Sequence, residues 1–103
     1  MALMQITIIP LGTGSTSVGE YVAGVQQLLA KRNFEYELGD MGTLIHGSPA
    51  DLLRLAAEIH ECPFQEGAQR VVTHITLDDR RDVERGIGEK KAAVQARLER
   101  TTE

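Results

Sequence analysis

Phe34-Glu35-Tyr36-Glu37-Leu38-Gly39-Asp40-Met41-Gly42-Thr43-Leu44-Ile45-His46 alternates apolar and acidic residues, turns, and returns as a second apolar run. Period-two alternation over 34–38 marks a strand. Gly39-Asp40 supplies turn chemistry, and residues 42–46 read as the returning strand of a hairpin. Ser48-Pro49-Ala50-Asp51 follows at once. It places a serine at the N-cap, a proline at the first helical position and a carboxylate near the positive end of the helix. Leu52, Leu55, Ala56 and Ile59 then form one apolar stripe, and Pro63 is expected to stop the helix near Cys62.

On the N-terminal side, Met4, Ile6 and Ile8 alternate with Gln5 and Thr7 as a first strand, with Pro10 and Gly12 ending it. Ser17-Val18-Gly19-Glu20 reads as a capping box. Val18, Tyr21, Val22, Val25, Leu28 and Leu29 recur at helical spacing behind it. Lys31 and Arg32 suit the negative end of that helix, and Asn33 can close it. On the C-terminal side, residues 71–77 are rich in Val, Ile and Thr and give a fourth strand. Ile87, Val94 and Leu98 point to a terminal helix broken early by Gly86 and Gly88.

The order is therefore βαββαβ plus a last helix, the α+β ferredoxin-like sandwich: four antiparallel strands with two helices on one face, in a single domain over 1–103. The other sheet face mixes Thr and Gln with apolar side chains, a surface commonly closed by another subunit.

Composition bounds what such a domain can do. The chain has 103 residues, 42% hydrophobic and 25% charged, with a formal charge of −4. A chain of this size buries only about 60–65% of its extended surface on folding, so association of subunits would add stability. The acidic balance argues against nucleic-acid binding, which calls for a basic face. One cysteine, Cys62, excludes an internal disulfide and fits a reducing cytoplasm. The uncharged residues 1–19 are interrupted by Pro10, Gly12 and Gly14, so neither a membrane span nor a signal peptide is expected.

Several motifs carry two readings. Gly12, Gly14 and Gly19 sit between a strand and a helix, yet Ser17 occupies the third glycine position of a dinucleotide loop. Glu20 and Tyr21 replace the Lys and Ser/Thr of a triphosphate loop. What remains is a tight turn that caps a helix, or a hydroxyl-rich rim able to hydrogen-bond a polar ligand. His46, His60 and His74 have no zinc-ligand spacing, and no metal or cofactor is expected. Cys62 near a helix end reads as a packing thiol, a nucleophile only with a base beside it. Asp78-Asp79-Arg80-Arg81-Asp82 reads as a solvated turn with local ion pairs. Alternatively Arg80 and Arg81 contact a second subunit or an anion. Gly42 serves the hairpin backbone or lets a flat ring approach the strand, with Thr43 donating a hydrogen bond and Met41 packing on the ring.

Pro10-Leu11-Gly12-Thr13 with Ser15-Thr16-Ser17 and Tyr21-Val22-Ala23, then Met41-Gly42-Thr43, His60-Glu61, Arg70-Val71 and the cluster over 78–82 occur in that order. Jointly they resemble the small thiamine-binding, YkoF-like family of ferredoxin-like proteins. The resemblance implies a homo-oligomer, dimer or tetramer, and a ligand that is thiamine or its hydroxymethylpyrimidine half. It also implies a pocket built from Ile8, Ser15, Ser17, Met41, Gly42, Thr43 and Thr73. Relatives often carry an acidic residue three positions after Thr43, where this chain has His46.

With no nucleophile, base and orienting group legible together, no catalytic residue is assigned. The expected activity is non-enzymatic binding in uptake, salvage or buffering. Two alternatives stay open: a small oligomeric enzyme, of isomerase or cofactor-free oxygenase type, with His46 or His74 as base, and a regulatory or assembly module with a different small ligand.

Overall fold

A computed structural model describes residues 1–12, 14, 19–84 and 86–101. The elements are β1 (Ala2–Leu11), α1 (Gly19–Arg32), β2 (Glu35–Leu38), β3 (Thr43–Gly47), α2 (Pro49–Gln65), β4 (Arg70–Asp78) and α3 (Glu89–Thr101). The four strands form one antiparallel sheet in the order β2-β3-β1-β4. This is the ferredoxin-like arrangement that the element order predicts.

Register assigns every strand residue to a face. Ala2, Met4 and Ile6 of β1 lie opposite Gly47, Ile45 and Thr43 of β3, and Met4, Ile6 and Ile8 lie opposite Leu77, Ile75 and Thr73 of β4. These side chains share one face, and there they meet Val25 and Leu29 of α1 with Leu52, Leu55, Ala56 and Ile59 of α2. Met4, Leu29, Ile45, Leu52 and Ile59 are fully enclosed, each contributing about 1.5–3 kcal/mol of burial. Gln5, Thr7, Ile9 and Leu11 occupy the opposite face, where Ile9 and Leu11 stay exposed.

The helix ends follow their local chemistry. Ser48 is extended and its Oγ accepts the Asp51 N–H at 3.2 Å, with Pro49 just inside the helix. Asn33 closes α1 in the left-handed region, φ 59°, the non-glycine type most tolerant of it. Ser17 of the expected capping box lies outside the described residues.

Two sequence expectations need correction. Of the two residues expected to end β1, Pro10 does not: the strand runs through it, with Pro10 buried opposite Val71, and stops at Leu11 just before Gly12. Its β3 pairing has already ended at Ile6, so the strand has a partner on one side only and the missing N–H can fall on the open side. Pro63 does not stop α2, which continues to Gln65 with Pro63 fully buried inside it. The proline removes the i→i−4 bond to the Ile59 carbonyl, but only two further helical residues follow it, so little helix is left to disrupt. Its own carbonyl accepts the Glu66 and Ala68 N–H groups. The expected terminal helix forms as α3, starting just after Gly88, with Val94 and Leu98 49% and 54% exposed on it.

Candidate ligand-binding site

The hairpin between β2 and β3 builds the site. Its four-residue tip, 39–42, closes with the Gly39 N–H donating to the Gly42 carbonyl at 2.9 Å. The tip is pinned to β1 just where β1 has lost its β3 partner: Thr7 Oγ1 donates to the Met41 carbonyl at 2.9 Å. Gly42, φ +158°, makes this approach possible. A Cβ there would lie 2.7 Å from Thr7 Oγ1 and 3.1 Å from the Ile6 carbonyl oxygen.

On the helix side of this tip lies a cavity of about 530 Å³, within the range that takes a small organic ligand. Ile6 and Ile8 of β1 and Tyr21, Val22 and Val25 of α1 give it apolar walls, and Leu38 and the tip form its rim. One polar pair is set into these walls. Gln26 Nε2 donates to Thr43 Oγ1 at 3.3 Å, and Thr43, 5% exposed, is the buried polar residue of the core. A hydroxyl that accepts still has a proton to give, and the Gln26 amide keeps its carbonyl oxygen and a second N–H. The pair can therefore answer both a donor and an acceptor on a flat heterocycle. Met41 stands 82% exposed at the rim. A smaller hollow of about 260 Å³ lies across the tip, beside Gln5, Glu37 and Leu44. Another, of about 220 Å³, lies between β1 and α3, lined by Asp78, Arg80, Lys90 and Arg97 among others. Neither combines size with an apolar wall as the first does.

Of the sequence candidates, Ile8, Met41, Gly42 and Thr43 come together around the large cavity. Thr73 is opposite Ile8 but meets α2 instead, its Oγ1 2.6 Å from His60 Nδ1. The His60 ring in turn stands edge-on to Phe64 at 5.4 Å. Ser15 and Ser17 lie outside the described residues. Arg80 and Arg81 each engage a carboxylate of their own loop, Arg80 with Asp82 at 2.7 Å and Arg81 with Asp79 at 2.7 Å. Those hydrogen bonds hold the Asp79 and Asp82 carboxyls below their usual range and the two guanidiniums above theirs.

Alternation also settles the departure at position 46. His46 shares its face with Leu3 and Glu35, its Nδ1 3.4 Å from Glu35 Oε2, on the side of the sheet away from the cavity. An acidic residue there would not face a ligand in it. Cys62 Sγ donates to the Glu58 carbonyl at 3.4 Å. Burial first, then the carboxylates of Glu66 and Glu58, push its pKa up, the direction that keeps a thiol protonated and inert. Among the described residues, no three His, Cys, Asp or Glu side chains gather as a metal site, and no helix is long and apolar enough to cross a membrane.

Sequence reasoning missed Gln26 and Asp40. Tyr21 and Val22 were legible as a helix stripe, but they flank the cavity as well as the core. Gln26 follows Val25 on the edge of that stripe, and a polar residue at a stripe edge was the available signal.

Comparison with known proteins places the chain among small proteins of one kind. The profile of the thiamine-binding protein family matches residues 4–95. The UPF0045 protein YqgV of Bacillus subtilis is 44% identical over 103 residues, covering 96% of this chain and 92% of that one. A UPF0045 protein of Methanothermobacter thermautotrophicus is 40% identical over 99 residues, covering 95% and 100%. Among solved structures, protein MJ1052 of Methanocaldococcus jannaschii superposes with a TM-score of 0.81 at 31% identity, covering 91% and 95%. A candidate thiamine biosynthesis or salvage protein of Thermotoga maritima superposes with a TM-score of 0.74 at 17% identity, covering 90% and 97%, a likeness of fold.

Proposed function

This chain belongs to the thiamine-binding protein family, and on that premise we propose that it binds thiamine or its hydroxymethylpyrimidine half without transforming it. Its role is uptake, salvage or buffering in the cytoplasm, where a lone unpaired thiol persists. The observation that carries this reading is the Gln26–Thr43 pair set in the apolar wall of the cavity. An aminopyrimidine offers a flat apolar face and, on one edge, a ring acceptor beside an amino donor. Apolar walls with one aimed polar pair match that chemistry, and Met41 at the rim can cover the exposed ring face.

Titration calorimetry with thiamine and with hydroxymethylpyrimidine tests the reading. One saturable site per chain is expected, weakened tenfold or more by Thr43→Val, because loss of the hydroxyl leaves Gln26 without its buried partner. Absence of heat from either ligand at millimolar concentration would remove the proposal.

We also propose that the protein is a homo-oligomer. β4 is an edge strand of nine residues, and residues 71–77 carry no Lys, Glu, Asp, Arg or Pro to discourage pairing. A second copy paired antiparallel about His74 would set Arg70 against Asp78 of the other chain, since both lie four residues from the centre. Ile75, 44% exposed, would be covered in that arrangement. Arg80 and Arg81, in the loop following β4, sit near enough in sequence to contribute to such an interface.

A further inference from the structure

Phosphorylation state divides the natural forms of such a ligand. Thiamine carries a cationic thiazolium, its pyrimidine half is neutral, and its phosphate esters carry up to about two negative charges on each terminal phosphate. The charges around the cavity are therefore informative. Asp40 is the one ionised residue in its described lining. No Lys, Arg or His borders it among the described residues, and the segment 12–19 that leads into α1 contains none. The start of α1 would by itself attract an anion, but Glu20 stands in its first turn and opposes that attraction. Lys31 and Arg32 lie in the last turn, at the far end of the helix.

From this distribution we infer that the cavity selects the cationic, unphosphorylated vitamin and rejects its phosphate esters, with Asp40 reading the charge. The inference rests on the binding function proposed above and adds a preference among its ligands. Gln26 and Thr43 hold the pyrimidine in the apolar part. Asp40, on the hairpin tip where the cavity's rim adjoins the smaller hollow, is the carboxylate nearest the positive ring as it projects toward solvent. An ester would bring its phosphate to the same rim, against a carboxylate and, among the described residues, without a cation to receive it.

The test is a calorimetric series on the full chain with thiamine, hydroxymethylpyrimidine, thiamine monophosphate and thiamine diphosphate. Wild type and Asp40→Asn are each measured at low and moderate salt. Diphosphate is expected to bind at least tenfold more weakly than thiamine. Asp40→Asn should weaken thiamine about tenfold and leave the neutral pyrimidine within threefold. Added salt should weaken thiamine but not the pyrimidine, because only the former carries an ionic contact. The salt and ester comparisons need only wild type, so they stand even if Asp40→Asn folds poorly. Diphosphate binding as tightly as thiamine, or an equal loss for the charged and neutral ligands in Asp40→Asn, would overturn the charge selection while leaving the binding function in place. Failure of all four ligands would instead remove the binding function, and the selectivity with it.

Discussion

Replacing Gly42 by alanine should damage stability and binding together, and the structure sets the size of the effect. The residue sits at φ +158°, and the new Cβ would come within 2.7 Å of Thr7 Oγ1, 3.1 Å of the Ile6 carbonyl oxygen and 3.3 Å of Gln5 Cγ. The backbone conformation alone costs about 1–3 kcal/mol for a residue with a side chain. Thr7 can swing away, but only by releasing its 2.9 Å bond to the Met41 carbonyl, worth about 1 kcal/mol. The Ile6 carbonyl cannot follow, because Ile6 is paired with Thr43 on one side and Ile75 on the other. Forced overlap of that kind costs about 1–3 kcal/mol. Even the low ends together reach about 3 kcal/mol, a large share of the ~5–15 kcal/mol that stabilises a domain. At about 4–8 °C per kcal/mol for a chain of this length, thermal unfolding should fall by at least about 12 °C. Gly67→Ala is the matched control: φ is +99° with nothing within 4 Å of its Cβ, so it pays the backbone cost without the overlap. Circular dichroism melts of both variants decide the matter. A Gly42→Ala protein melting within about 3 °C of wild type, or no lower than Gly67→Ala, would refute the packing of the tip on β1.

Three further outcomes follow from the same geometry. Ser48→Ala removes the N-cap of α2, whose Oγ accepts the Asp51 N–H, and should cost about 1 kcal/mol, read as a fall of several degrees in the melt. Cys62 should alkylate more slowly than an unstructured thiol at neutral pH and gain speed only above the ordinary thiol range, and Glu66→Gln should lower the pH at which it does. Its raised pKa means the folded state holds the proton more tightly than the unfolded chain. The corresponding stability is fully present below the unfolded-state value and fades as pH climbs through the folded one. If the proposed β4 pairing forms, Arg70→Asp alone should lower the oligomer mass seen in sedimentation, and Arg70→Asp with Asp78→Arg should restore it. A mass indifferent to both would discard that register.

The hairpin and the capped start of α2 were legible because each rests on local chemistry: alternation, Gly39-Asp40 at the turn, and Ser48 beside Pro49. What escaped was set by tertiary context. Whether Pro10 ends a strand depends on where β3 stops pairing with β1. Whether Pro63 ends a helix depends on how the last turn is capped and what encloses the ring. The apolar spacing of Val94 and Leu98 gave α3 its helical periodicity but not its burial. The site was half legible for the same reason. Met41, Gly42 and Thr43 are consecutive and could be read together. Gln26 reaches Thr43 across 17 residues, and only the packing of α1 on the sheet brings them together. The face of His46 follows from period two, once β3 is known to be a regular strand from Thr43.

The central claim is that thiamine or its pyrimidine half occupies the space between α1, β1 and the hairpin tip. Amide chemical-shift mapping during a thiamine titration tests it most directly. The account predicts that the shifts concentrate at Tyr21, Gln26, Met41 and Thr43, with Leu3, His46 and Arg80 unmoved. Shifts confined to the opposite sheet face or to the loop after β4, with Gln26 and Thr43 silent, would contradict it.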